Sequence, residues 1–256
     1  MDPSLVKAVI KVGDGRGFII EHHEQIGSFR GERGFLDYRL VITAAHCLPH
    51  FPACHRASYL EERTYERLLG PLAGPKPDVW AECLFADPIA DIAVLGSPDG
   101  QELFDQAEAY NALVDGSRAL RIGKGRRHGE AYLLTLDAQW MNCLMECSGR
   151  SVLIKNGSLI KAGMSGSPIL GSRSAAIGLL CVGGSGGIGW PNPSLVDNLP
   201  CWLTQGALLG HTQTRTTERY AHLADGALRA ATDQFAAVYQ KAKKAGSRNH
   251  KPRKRL

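Results

Sequence analysis

Val41-Ile42-Thr43-Ala44-Ala45-His46-Cys47 decides how the rest of this sequence is read. An apolar, β-branched run ends in three small residues and delivers a histidine. β-branching favours a pleated strand, and the small residues let the chain turn where the strand stops. Two further stretches share this construction. Ala90-Asp91-Ile92-Ala93-Val94-Leu95 sets a carboxylate at the entrance to a wholly apolar strand. Gly163-Met164-Ser165-Gly166-Ser167-Pro168 sets a serine between glycines just before another strand.

Outward from these points, short apolar runs alternate with Gly, Pro and Asp. Residues 5–20 read as two short strands around the Gly13-Asp14-Gly15 turn. Further strands are expected at 38–44, 79–85, 92–95, 119–122, 131–136, 151–154, 167–170 and 176–182. Residues 58–70 carry a more helix-like or irregular pattern, closed by a breaker-rich stretch. Twenty-nine glycines and 13 prolines in 256 residues favour such a strand-and-turn chain over a helical bundle. The expectation is an all-β sandwich or barrel.

The period changes near residue 204. From there to about 240 the sequence is Ala-rich and helical in pattern, and residues 241–256 form a polar basic end. That end holds eight Lys or Arg and no acid, more than the whole net charge of +5, so the body is net acidic. The basicity belongs to the tail, and the body does not read as a nucleic-acid surface. The domains expected are therefore 1–203, 204–240 and a disordered 241–256.

Seven cysteines with no repeating spacing argue for reduced, buried thiols and not for a zinc site or a disulfide framework. No signal peptide and no run of about 18 to 20 apolar residues is seen, so a cytoplasmic protein without membrane contact is the default.

The three motifs carry one chemistry together. A serine hydroxyl is a weak nucleophile until an imidazole takes its proton, and the imidazole needs a carboxylate to fix its tautomer. An oxyanion needs converging backbone N–H groups, which a glycine-flanked turn can present. No metal or cofactor is required. Taken singly, each motif is more often a structural histidine, a cap or a loop; their joint occurrence in order outweighs that.

TAAHC at 43–47, DIAVL at 91–95 and GMSGSP at 163–168 resemble the three signatures of trypsin-like (chymotrypsin-fold) serine proteases. The resemblance covers about residues 5–203. It implies two six-stranded antiparallel β-barrels, with a short helical C-terminal appendage following. It also implies that His46 is general base, Asp91 its orienter and Ser165 the nucleophile, with the backbone N–H groups of Gly163 and Ser165 as oxyanion hole. The substrate implied is a protein or peptide. Met164 stands where secreted members carry an acid that pairs with a newly cut N-terminus, so no cleavage of that type is expected. Cys47 has no upstream half-cystine partner. The specificity pocket would be formed around Leu159, Val182 and Gly183, and an apolar residue at its base argues against a preference for Lys or Arg.

Residues 208–225 resemble the C-terminal end of tyrosine recombinases, with His211 and Tyr220 at that family's histidine and tyrosine. The cationic clamp of the scissile phosphate is missing, so neither residue is counted as catalytic. Two other readings stay open: an inactive protease-fold binding module, and a DNA-associated recombinase remnant whose basic tail touches nucleic acid electrostatically.

Overall fold

The computed structural model describes residues 1–29, 32–52, 62–99, 101–123, 128–148, 151–155, 160–183, 190–191, 194–200 and 203. The chain divides between Gly210 and His211, and everything described lies in the first part. The segment 204–256, with His211, Tyr220, the expected helical appendage and the basic tail, lies outside the described residues, as does Leu159.

A short 3-10 turn over Pro3–Ala8, opened by Asp2 accepting from the Ser4 backbone, replaces the start of the first expected strand. Six strands then close into an antiparallel barrel: β1 (Val9–Val12), β2 (Gly15–Phe29), β3 (Glu32–Thr43), β4 (Thr64–Pro71), β5 (Val79–Asp87) and β6 (Ile92–Gly96). Their order is β1-β2-β3-β6-β5-β4, and β4 pairs back onto β1. The core is built from apolar strand residues such as Phe18, Ile19, Ile42, Leu69, Val94 and Leu95, all fully buried. Each contributes about 1.5–3 kcal/mol of transfer free energy. β6 is buried at every position, which is why it reads as one apolar run and not as an alternation. The β2–β3 ribbon continues past the barrel to Phe29 opposite Glu32.

One α-helix follows, α1 (Phe104–Asp115), absent from the sequence expectation. It buries Tyr110 and Val114, and the Tyr110 hydroxyl donates to the carbonyls of Arg39 and Leu95. Arg39 in turn donates to the carbonyls of Val114, Asp115 and Ser117, satisfying the helix C-terminus.

The second sheet contains β7 (His128–Leu134), β8 (Trp140–Ser148), β9 (Ser151–Lys155), β10 (Pro168–Gly171), β11 (Ala176–Leu179) and β14 (Ser194–Leu195). A two-residue ribbon, β12 (Val182–Gly183) with β13 (Trp190–Pro191), stands apart from it. The sheet order is β14-β11-β10-β7-β8-β9. Numbered by chain order, these six strands repeat the succession of the barrel, opened between the third and the sixth. Where a second closed barrel was expected, the described residues form a six-stranded sheet. Residues 119–122 are not a strand either. They bridge the two sheets, Leu120 beside Ile20 and Ile122 beside Ala176. Residues 64–71 are a strand, not the helix-like element expected there. Among the described residues no helix is long and apolar enough to cross a membrane.

Candidate active site

His46 lies on a single 3-10 turn, Ala45–Cys47, directly after β3. Ala44 and Ala45 are fully buried, so only small side chains fit where the chain leaves the barrel. Asp91 comes from the neighbouring strand of the same barrel, at the turn between β5 and β6, where Thr43 of β3 pairs with Ala93. Asp87 shapes that turn by accepting from the backbone of Ile89 and Ala90. Asp91 closes it at φ +53°, a left-handed conformation that aspartate tolerates better than most residues.

Asp91 holds His46 at two points. Asp91 Oδ2 lies 2.7 Å from His46 Nδ1, and Asp91 Oδ1 accepts from the His46 backbone N–H at 2.9 Å. A carboxylate can only accept, so Nδ1 carries the proton and Nε2 is the basic nitrogen. The hydrogen bond donated to Asp91 raises the His46 pKa above its ordinary value, against partial burial and with help from the carboxylate charge. Burial raises the Asp91 carboxyl, but the hydrogen bonds from the His46 ring and backbone outweigh it and leave the pKa lowered. The Asp91 carbonyl accepts from Cys181 Sγ at 3.5 Å, which ties this turn to the end of β11.

Ser165 belongs to the second sheet, in the approach to β10. Two hydrogen-bonded turns share Met164: Met164 N donates to Lys161 O, and Ser167 N donates to Met164 O. Gly163 at φ +86° and Gly166 at φ +80° occupy the third positions, as type II turns require. A side chain on Gly166 would also collide with the Arg16 carbonyl, so glycine is obligatory there. The loop is pinned outside itself as well. Arg16 N donates to Ser165 O at 2.7 Å, and Gly166 N donates to Leu180 O at 2.6 Å. Met164 is fully buried among Leu133, Cys143, Ile169 and Leu180, with its sulfur accepting from Lys161 N. An apolar anchor thus holds the loop from beneath.

Ser165 approaches the histidine turn at Gly15. A Cβ built on Gly15 would stand 2.5 Å from Cys47 Sγ and 3.5 Å from Ser165 Cβ. The serine and the neighbour of His46 thus both border Gly15, although the two are more than a hundred residues apart in sequence.

The likeness to solved structures is to proteases. One is the crystal structure of Rv3671c protease in its inactive form, 12% identical at a TM-score of 0.42, over 80% of this chain and 91% of that one. Another is the NS6 protease from murine norovirus 1, 14% identical at 0.41, over 81% and 98%. No family model and no curated protein matches the sequence.

Val182 and Gly183 follow directly on Cys181 and pair antiparallel with Pro191 and Trp190, so this ribbon starts beside Asp91. Four participants around the site escaped the sequence reading. Arg16 and Thr43 hold the serine loop: Thr43 Oγ1 donates to the Arg16 carbonyl at 2.7 Å. Cys181 touches Asp91. Leu136, half exposed, comes within 3.6 Å of a Cβ built on Gly163. Thr43 lies inside the TAAHC stretch, yet nothing there announces a hold on the serine loop, and Arg16, Cys181 and Leu136 belong to none of the three motifs. Of the expected thiols, Cys47, Cys83, Cys143 and Cys181 are buried and in the thiol form.

Proposed function

We propose that this protein is a serine endopeptidase in which His46, Asp91 and Ser165 act as a catalytic triad. Nε2 of His46 takes the Ser165 hydroxyl proton as Oγ attacks the peptide carbonyl carbon. The resulting oxyanion is received by the backbone N–H groups of Gly163 and Ser165. Collapse breaks the C–N bond, the imidazolium passes its proton to the leaving amine, and an ester to Ser165 remains. Water then repeats the sequence with His46 again as base, releasing the acid and regenerating the serine.

The observation that carries this reading is the two-point hold of Asp91 on His46. It fixes both the tautomer and the plane of the ring, the requirement for a base rather than for a structural histidine. The serine loop supports it. In a type II turn the Ala162–Gly163 peptide is flipped relative to type I, which turns the Gly163 N–H to the opposite side of the loop.

The substrate proposed is an extended peptide with an apolar or small residue, not Lys or Arg, before the scissile bond. Labelling with a fluorophosphonate tests the triad. Wild-type protein labels at Ser165, and Ser165→Ala and His46→Ala do not. A folded wild type that fails to label would replace this reading with that of a binding module on an inert site. A strong arginine preference in a peptide library would overturn the specificity.

A further inference from the structure

Arg16 is the second residue of β2 and is only 5% exposed. Nη1 donates to the carbonyls of Leu134 at 3.2 Å and Thr135 at 2.9 Å, and Nη2 donates to Leu136 O at 3.1 Å. These carbonyls end β7 and open the hairpin towards β8. A buried cation is costly unless its donors are met, and these three contacts cross from the barrel to the second sheet. Burial lowers the Arg16 pKa, while the charge of exposed Asp137 works the other way; a guanidinium stays charged regardless.

The backbone of the same residue serves the serine loop. Arg16 N donates to Ser165 O, and Arg16 O accepts from Thr43 and fills the space beside Gly166. Leu136 completes the circuit. Its carbonyl is held by Arg16, and its Cδ2 lies against Gly163, where the orientation of one peptide decides which way the N–H points.

We propose that Arg16 is a positioning residue for acyl transfer: its side chain fixes the 134–136 carbonyls so that Leu136 backs Gly163 and keeps the Gly163 N–H turned to the oxyanion. This rests on the serine-endopeptidase reading above. A guanidinium suits the task because its rigid fork reaches three carbonyls at once. A lysine reaches fewer of them with its single ammonium, and a glutamine brings one short amide.

The test uses full-length wild type, Arg16→Gln, Arg16→Lys and Leu136→Ala, with Ser165→Ala as blank. For each, kcat and KM are measured on a peptide chosen from the library, together with the affinities of the matching peptide aldehyde and peptide alcohol. The aldehyde forms an oxyanion adduct and the alcohol does not. In Arg16→Gln, kcat per labelled site falls at least about tenfold with KM within about twofold. The aldehyde-to-alcohol affinity ratio falls with it, Arg16→Lys recovers part of the loss, and Leu136→Ala moves the same way. The acid limb of the pH profile stays in place, because the His46–Asp91 pair is untouched.

Wild-type kcat and affinity ratio per labelled site in Arg16→Gln would overturn the role of Arg16 while leaving the triad standing. Should Arg16→Gln fail to fold, an unchanged ratio in Leu136→Ala overturns the proposal by itself. Absence of Ser165 labelling in folded wild type overturns the underlying reading and this one together.

Discussion

Asp91 holds His46 through both of its carboxylate oxygens, one on the ring at 2.7 Å and one on the backbone N–H at 2.9 Å. The second contact matters as much as the first. It ties the carboxylate to the main chain of the histidine turn, so the ring's acceptor is held in place independently of the ring.

The activity of such a pair falls as His46 becomes protonated. Because its pKa is raised, the acid limb of the kcat/KM profile is expected above the ordinary histidine value of 6.5. Asp91→Asn removes the carboxylate, lowers the His46 pKa and costs about 10⁴-fold in kcat. NMR titration of the His46 ring in both proteins checks the shift. The sign for stability follows from the same directions. The raised His46 pKa contributes stability that is complete below about 6.5 and is lost as pH rises through the folded value. The lowered Asp91 pKa contributes stability that is present above 3.8 and is lost as pH falls through the folded value. An Asp91→Asn protein more stable than wild type near pH 6 would contradict this.

Met164→Asp places a carboxylate in a fully buried apolar site with no cation against it. The expected loss is about 3–5 kcal/mol in urea unfolding, accompanied by loss of Ser165 labelling. Met164→Leu keeps the volume, loses only the weak sulfur acceptor for Lys161 N, and costs less than about 1.5 kcal/mol. Equal behaviour of the two variants would mean that the loop does not depend on this anchor.

Gly166→Ala combines a left-handed backbone with a collision against the Arg16 carbonyl. The conformational part alone costs about 1–2 kcal/mol, and the collision adds to it by forcing the loop off Arg16. A lowered urea midpoint and slower fluorophosphonate labelling are expected together. Wild-type values for both would show that the loop has room to shift.

Glu82 is a buried acid on β5, paired with Arg63 at 3.1 Å. Burial pushes its pKa up to about 7, against the nearby Arg63 charge. A folded pKa above the unfolded one means that the folded state binds the extra proton. Stability is therefore full below about 4.5 and declines as pH rises through about 7. Glu82→Gln is expected to flatten that decline and to raise stability at pH 8 by about 1–3 kcal/mol. Melting temperatures at pH 5 and pH 8 decide it, and a mutant less stable than wild type at pH 8 would sink it.

By itself the sequence determined most of the strands and the three chemical motifs. Both signals are local: a β-branched apolar run marks a strand wherever it lies, and a serine between glycines marks a tight turn. β4 shows where local reading fails. Its buried residues Tyr65, Leu68 and Leu69 fall three and four apart, the spacing of a helix. The cause is a register shift between Tyr65 and Leu69, with Arg67 at φ +52°. The irregularity breaks the alternation that would have named the strand. α1 was missed for the opposite reason, since it buries only Tyr110 and Val114 and shows too narrow an apolar stripe. Tertiary structure alone decided the strand order, the seam left between β9 and β14 among the described residues, and the convergence at Gly15 of Cys47 and Ser165. It also decided that Arg16 would spend its charge on carbonyls 118 to 120 residues away. Ladder pairing and cation burial join residues that no window along the chain contains together, and their free energy exists only once the sheets have met.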